Sequence, residues 1–252
     1  MGELYLVQMP FGAREVFRNA GAKVQEVDLG YLAHCHLTEL FGDGGMKPFA
    51  LPQERDGAVR AVLGYSAVGR DELLAVARER LGAERFGALR WDGLGVKRMP
   101  EIGSGARLGF EVRVCPVVRL ASERETGVAG VRETVKKGAE RDVYQREWWE
   151  AERRGEVFLE SREDVYRRWL ADRMVGARLE EARLVRFTQR ERLFRQTQGA
   201  ERKGARLERP DAVFRGTLVV EDAVGFRRLL ERGVGRHRAF GFGMLLLRPA
   251  GT

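Results

Sequence analysis

Tyr31 and His34 stand three residues apart in a segment that runs from Asp28 to Phe41. On a helix that spacing brings two side chains together. An imidazole, which ionises near neutral pH, beside a phenol suits RNA strand cleavage. One group takes the proton of a ribose 2′-hydroxyl, while another steadies the phosphorane or protonates the leaving 5′-oxygen. The pair also reads as ordinary helix surface, and spacing alone does not separate the two readings. His36 falls at the edge of the apolar arc and reads as a hydrogen-bonded packing residue. The run His34-Cys35-His36 does not read as a metal site, because consecutive helical side chains diverge and cannot converge on one tetrahedral ion. No metal and no cofactor are expected.

The element that must carry this pair is a helix capped by Asp28 and stopped at Gly42, with Leu29, Ala33, His36, Leu37 and Leu40 on one arc and Tyr31, His34 and Thr38 on the other. Period-two alternation predicts strands at Leu4 to Met9, Val59 to Tyr65 and Phe110 to Val114. A second helix is bracketed by Asp71 and Gly82, and a weaker strand is expected at Ala88 to Trp91. From Leu108 the plan repeats: a helix Glu163 to Val175 behind the capping box Ser161 to Asp164, strands Leu184 to Thr188 and Val213 to Val220, a helix from Asp222 carrying Phe226, Leu229 and Leu230, and a strand Met244 to Leu247. The expected fold is therefore α+β, two tandem ferredoxin-like (RRM-like, βαββαβ) domains, at residues 1–105 and 106–252, divided near the cluster Gly103, Ser104 and Gly105. The segment Ala121 to Glu160 reads as an insertion, with loop at Glu123 to Val131 and a helix at Glu140 to Arg153 whose Tyr144, Trp148 and Trp149 either pack on the core or face a ligand; packing is the expectation.

Two segments have the composition of a nucleic-acid interface. Gln189 to Pro210 reads as a basic hairpin or loop holding Arg190, Arg192, Arg195, Arg202, Lys203, Arg206 and Arg209, suited to the groove of a structured RNA; Glu191, Glu201 and Glu208 dilute it and permit a solvated charged loop instead. Gly233 to Gly243 joins the last helix to the last strand and mixes Gly233, Gly235, Gly241 and Gly243 with Arg236, His237, Arg238 and two phenylalanines. Such a loop can offer amides and arginines to phosphates and a ring to a base, or can be a helix stop with glycine-assisted packing.

Composition agrees with a polyanion partner. There are 45 Lys and Arg against 37 Asp and Glu, and only six of the bases are lysines, a bias toward the planar fork that suits phosphate and guanine edges. Cys35 and Cys115 are far apart and imply neither a disulfide framework nor a zinc site, which fits a reducing cytoplasm. No run approaches the roughly 20 apolar residues that span a bilayer, so no membrane association is expected.

The segment Tyr31-Leu-Ala-His34, the strand Phe110-Glu-Val-Arg-Val-Cys-Pro116 and the end from Gly233 through Gly243 to Pro249 together resemble the CasE family, the repeat-RNA hairpin endoribonuclease subunit of the type I-E Cascade complex. The resemblance implies tandem ferredoxin-like domains and metal-independent cleavage of CRISPR precursor RNA at the 3′ base of the repeat hairpin. The products end in a 2′,3′-cyclic phosphate and a 5′-hydroxyl. It makes His34 the general acid/base and Tyr31 the group that positions the phosphate or the nucleophile, and it lays the basic hairpin in the major groove of the stem. It further implies that the enzyme stays on the crRNA hairpin with other Cascade subunits, the backbone subunit especially. No lysine matches a transition-state stabiliser; Arg14, Arg18 and Lys23 are candidates by position. The alternatives are a non-catalytic structured-RNA-binding scaffold of a CRISPR ribonucleoprotein and an unrelated nucleic-acid-binding module.

Overall fold

The computed structural model describes residues 2–12, 28–53, 58–128, 131–196 and 204–251, with backbone alone at 124–128, 131–133, 194–196 and 204–206. In the first half the order is β1 (Tyr5–Pro10), α1 (Leu29–Phe41), β2 (Phe49–Ala50), β3 (Ala61–Ser66), α2 (Arg70–Gly87) and β4 (Gly95–Arg98). The strands form one antiparallel sheet in the order β2-β3-β1-β4, with Tyr5 opposite Ser66 on one side and Arg98 on the other. That order is the ferredoxin-like one. Alternation drives Val7 and Met9 to the helix-covered face, where they meet Ala33, Leu37 and Leu40 of α1 and Leu73 and Ala77 of α2.

The second half supplies β5 (Arg107–Val114), then β6 (Val117–Arg119), β7 (Arg124–Val128), β8 (Val131–Val135), β9 (Glu140–Asp142), α3 (Val143–Arg153), α4 (Arg162–Ala171), β10 (Ala177–Gln196), β11 (Gly204–Val220), α5 (Ala223–Arg232) and β12 (Leu245–Pro249). Its main sheet runs β10-β11-β5-β12, the same order again. Phe110, Val112, Phe214 and Leu218 of the sheet pack with Val165, Tyr166 and Leu170 of α4 and Phe226 and Leu230 of α5. Leu4 and Tyr65 of the first half belong to that same core, and the Tyr65 hydroxyl donates to the Leu245 carbonyl at 2.8 Å.

Several expectations need correction. Ala88 to Trp91 is not a strand: the Trp91 indole stacks on Phe86 and donates to its carbonyl, and the edge strand comes later, at Gly95–Arg98. The second helix does not stop at Gly82 but kinks there and continues to Gly87. Within Glu123 to Val131 the backbone pairs as the ribbon β7–β8 rather than remaining loop, and Glu140 to Asp142 is a strand paired with β6, so the following helix opens only at Val143. Tyr144 packs edge-on against Phe158, as expected, while Trp148 and Trp149 are half-buried. The helix at Ser161 is three to four residues shorter than expected, ending at Ala171, although Ser161 caps it through the Asp164 amide. The largest difference is β10, which runs for 20 residues and pairs with β11 well beyond the edge of the sheet.

Candidate active site and nucleic-acid interface

Asp28 caps α1 by accepting from the Tyr31 amide at 3.0 Å, and Arg80 donates to the carbonyls of Thr38 and Glu39 at the other end. The helix that carries Tyr31 and His34 is thus fixed at both termini. Near its start, Gly30 lies directly against the carbonyl of Phe240: a Cβ there would sit 2.3 Å from that oxygen. The contact presses α1 onto a short 3₁₀ turn, Arg238–Phe240, inside the glycine-rich segment of the second half. As a result the Tyr31 ring stacks on Phe240 with centroids 5.9 Å apart, above a small cluster of Cys115, Val117, Leu193 and Phe242.

The Tyr31 and His34 rings are 6.3 Å apart and tilted, as the i, i+3 spacing requires. Tyr31 also hydrogen-bonds with Cys35. His34 is half-buried and belongs to none of the hydrophobic clusters, with Nδ1 3.4 Å from the Thr38 hydroxyl. Partial burial is the main influence that lowers its pKa, the Lys47 ammonium adds to the effect, and the Asp43 carboxylate opposes it. Asp43 and Lys47 are themselves paired at 3.1 Å. His36 is more deeply placed and lowered by burial, consistent with a packing role.

Lys47 was not identifiable by sequence spacing, because it follows His34 by thirteen residues. What folds it back is the turn after α1, where Gly42 and Gly44 take positive φ and the Lys47 amide then donates to the Tyr65 carbonyl. The glycine run was the available signal. Arg14, Arg18 and Lys23, the cations expected to supply this charge, lie outside the described residues.

The other expected site residues are dispersed. Arg236 and His237 do not project freely: both bind Glu140 of β9, at 2.7 Å each, and Arg209 joins the same carboxylate at 3.2 Å. Burial lowers the His237 pKa despite this partner. Arg238 is exposed and donates to the Arg232 carbonyl at the end of α5. The glycines serve packing: a Cβ on Gly243 would strike the Val234 carbonyl at 2.3 Å, one on Gly235 the Trp169 ring, and one on Gly233 would meet Gly243 and Pro48, while Gly241 takes φ 77° next to Phe49. Neither phenylalanine of the loop is available to stack on a base. Phe240 and Phe242 are 5% and 0% exposed, and the Arg113 guanidinium covers Phe242 at 4.1 Å.

The basic segment is the outer half of the β10–β11 ribbon. Arg190 is exposed and lies at 4.0 Å from Glu208, and Arg192 is exposed; Arg195 and Arg206 pair with Ala205 and Phe194 in the ladder, and Arg202 and Lys203 fall outside the described residues. Between the two sheets lies a cleft lined by Asp28, Leu51, Arg113, Glu191, Arg192 and Asp211, among others, but by neither Tyr31 nor His34. Its charges largely satisfy one another: Arg113 grips Asp211 with two hydrogen bonds of 3.1 and 3.0 Å, and Arg215 binds Glu111. The Tyr31 and His34 pair thus lies outside this cleft. Among the described residues no group of three or more His, Cys, Asp or Glu side chains is placed to hold a metal ion, and no helix is long and apolar enough to cross a membrane.

The fold has counterparts among known proteins. The chain is similar over 98% of its length, and 100% of the other, to the CRISPR endoribonuclease Cse3 bound to a 19-nucleotide RNA, at 21% identity and TM-score 0.59. It is also similar to Thermus thermophilus Cse3 bound to an RNA representing a pre-cleavage complex (19% identity, TM-score 0.55, covering 98% and 100%). The CRISPR-associated protein Cas6e of Escherichia coli K-12 follows at 17% identity and TM-score 0.51, covering 97% and 99%. At these identities the likenesses establish the fold. No curated protein matches the chain significantly. The model of one family, described as CRISPR associated protein, matches residues 4–249, and the chain accordingly belongs to that family.

Proposed function

We propose that the chain is a metal-independent endoribonuclease that cuts CRISPR precursor RNA once, at the base of the repeat hairpin, and remains on the crRNA hairpin as a Cascade subunit. The observation that carries this reading is His34, half-buried on a doubly capped helix, next to Tyr31 and under the influence of Lys47. Its fold-level relatives include an endoribonuclease bound to RNA, which supports the substrate class. We further propose the division of the chain at 105/106, since β4 ends at Arg98 and β5 begins at Arg107.

In this mechanism neutral His34 accepts the proton of the ribose 2′-hydroxyl. The oxygen attacks the adjacent phosphorus, the bond to the 5′-oxygen breaks, and that oxygen takes a proton from water, while protonated His34 returns its proton to solvent. The fragments end in a 2′,3′-cyclic phosphate and a 5′-hydroxyl. Tyr31, its ring held by Phe240, positions the phosphate. Lys47 fills the charge-neutralising role that Arg14, Arg18 or Lys23 would otherwise take. The arginines of the β10–β11 ribbon, Arg190 and Arg192 among them, approach the stem.

His34→Ala is expected to lower the cutting rate on host repeat RNA by about 10²- to 10⁴-fold while leaving hairpin affinity within about twofold, and EDTA is expected to change neither. Cutting that depends on a chelatable metal, or that survives loss of the imidazole, overturns the reading. Retained binding with no cutting by the native chain would instead favour a scaffold.

A further inference from the structure

Several arginines of the second half are already engaged. Arg113 binds Asp211, Arg215 binds Glu111, and Arg209 and Arg236 share Glu140. Two on α5 are different: Arg228 and Arg232 are exposed, and their guanidinium groups have no hydrogen bond or ion pair among the described residues. They sit at i and i+4, so they share a face of the helix at steps of about 6 Å, the scale of successive phosphates along one RNA strand. Arg238 joins them, since its guanidinium reaches back to the Arg232 carbonyl.

This cluster connects to the candidate active site by two routes. Gly233, directly after α5, stands against Pro48: a Cβ on it would be 3.0 Å from the Pro48 Cβ, and Pro48 follows Lys47. On the other side, Arg238 opens the 3₁₀ turn whose last residue, Phe240, stacks under Tyr31. The charges that act on His34 are those of Lys47 and Asp43, with none from α5, so the arginines lie further out than the reacting group. No aromatic side chain is exposed on the outer face of α5, where Arg227, Arg228, Glu231 and Arg232 alternate with buried Phe226, Leu229 and Leu230. Such a face offers charge without stacking.

We propose that Arg228, Arg232 and Arg238 form a phosphate track that holds the backbone of the RNA strand leading to the phosphate beside His34, and holds it without regard to base. The proposal rests on the reading of the chain as a repeat-RNA endoribonuclease and adds to it a binding element distinct from the basic ribbon. The track's ligand is a phosphodiester backbone, which either the paired stem or an unpaired flank can supply.

The test measures affinity from 0.05 to 0.5 M salt for two synthetic RNAs, the host repeat hairpin alone and the same hairpin extended by its single-stranded flank. The native chain is compared with Arg228→Gln/Arg232→Gln, with Arg238→Gln, and with Arg153→Gln as an exposed control on α3. Each lost phosphate contact removes about 0.7 to 0.9 from the slope of log K against log salt. The double variant is therefore expected to lower the slope by about 1.4 to 1.8 and to weaken binding at least tenfold at 0.15 M salt, roughly fivefold per contact. Its cutting at sub-saturating protein should fall in step with the lost affinity. A loss seen with both RNAs assigns the track to the stem, and a loss confined to the extended RNA assigns it to the flank. Unchanged slopes on both RNAs, or a loss equal to that of Arg153→Gln, overturn the track. If the native chain neither binds nor cuts either RNA, the functional reading itself fails, which is a separable result.

Discussion

Partial burial and the Lys47 ammonium both disfavour a second proton on His34, so at neutral pH the imidazole stands as an acceptor. A base whose pKa lies below the ordinary histidine value of about 6.5 gives a cutting rate that rises with pH across the acid range and is already flat at neutrality. In the proposed mechanism Lys47 enters twice, by shifting this limb and by countering charge on the phosphorane. Lys47→Ala removes one influence that lowers the His34 pKa and leaves the Asp43 carboxylate, which raises it, so the acid limb moves to higher pH. The plateau should fall by about 10²-fold, the cost typical of losing one transition-state donor. A single-turnover pH profile from 4.5 to 8.5 reads both effects. A lower plateau with an unmoved limb would mean that Lys47 contacts RNA without acting on His34, and an unchanged profile would remove it from the site.

Helix α1 is an element whose internal preferences and external contacts point in opposite directions at one residue. Inside a helix, glycine is worse than alanine by about 1 kcal/mol, so Gly30→Ala ought to stabilise an isolated α1. Here the added methyl meets the backbone carbonyl of Phe240, which cannot rotate away. Overpacking of this kind costs about 1 to 3 kcal/mol. The expected outcome is a net loss of stability in urea titration together with slower cutting, because the turn that stacks Phe240 on Tyr31 is pushed off; a more stable variant with native cutting would show that the contact does not set the site. Much of α1 was legible in the sequence, since Asp28, the apolar arc and Gly42 are local signals. Local signals also gave the Ser161 cap and the buried face of α5. They failed at two strands that have a partner on one side only. β4 is a mostly exposed edge strand, and outer β10 pairs with β11 alone, so neither shows a clear alternation of apolar and charged residues. The engagement of Arg236 and His237 by Glu140 joins residues about a hundred positions apart and left no trace in either segment.

At the scale of the molecule, the first sheet keeps its own core under α1 and α2 and also contributes to the core of the second. Leu4 and Tyr65, from the first, lie in the core of the second, and the guanidinium of Arg227 on α5 donates to the Gly2 carbonyl. The candidate site straddles this junction: α1 belongs to one half, and the Phe240 that stacks on Tyr31 belongs to the other. A chain built this way should lose both halves, and the site, in one transition. The hydroxyl of Tyr65 offers a clean probe, since it is buried and donates across the junction to Leu245. Tyr65→Phe keeps the ring's packing but leaves the Leu245 carbonyl without that donor, a loss of about 1 to 2 kcal/mol, equivalent to roughly 2 to 8 °C in Tm for a chain of this size. Trp91 is the one tryptophan of the first half, against Trp148, Trp149 and Trp169 in the second. In a Trp91→Phe background, fluorescence therefore follows the second half alone, whereas circular dichroism follows both. With and without Tyr65→Phe, the two signals should give the same urea midpoint, shifted together by the substitution. Midpoints that separate, with fluorescence unmoved by Tyr65→Phe, would mean that the halves fold independently and that the junction under Tyr31 is held by the RNA rather than by the protein.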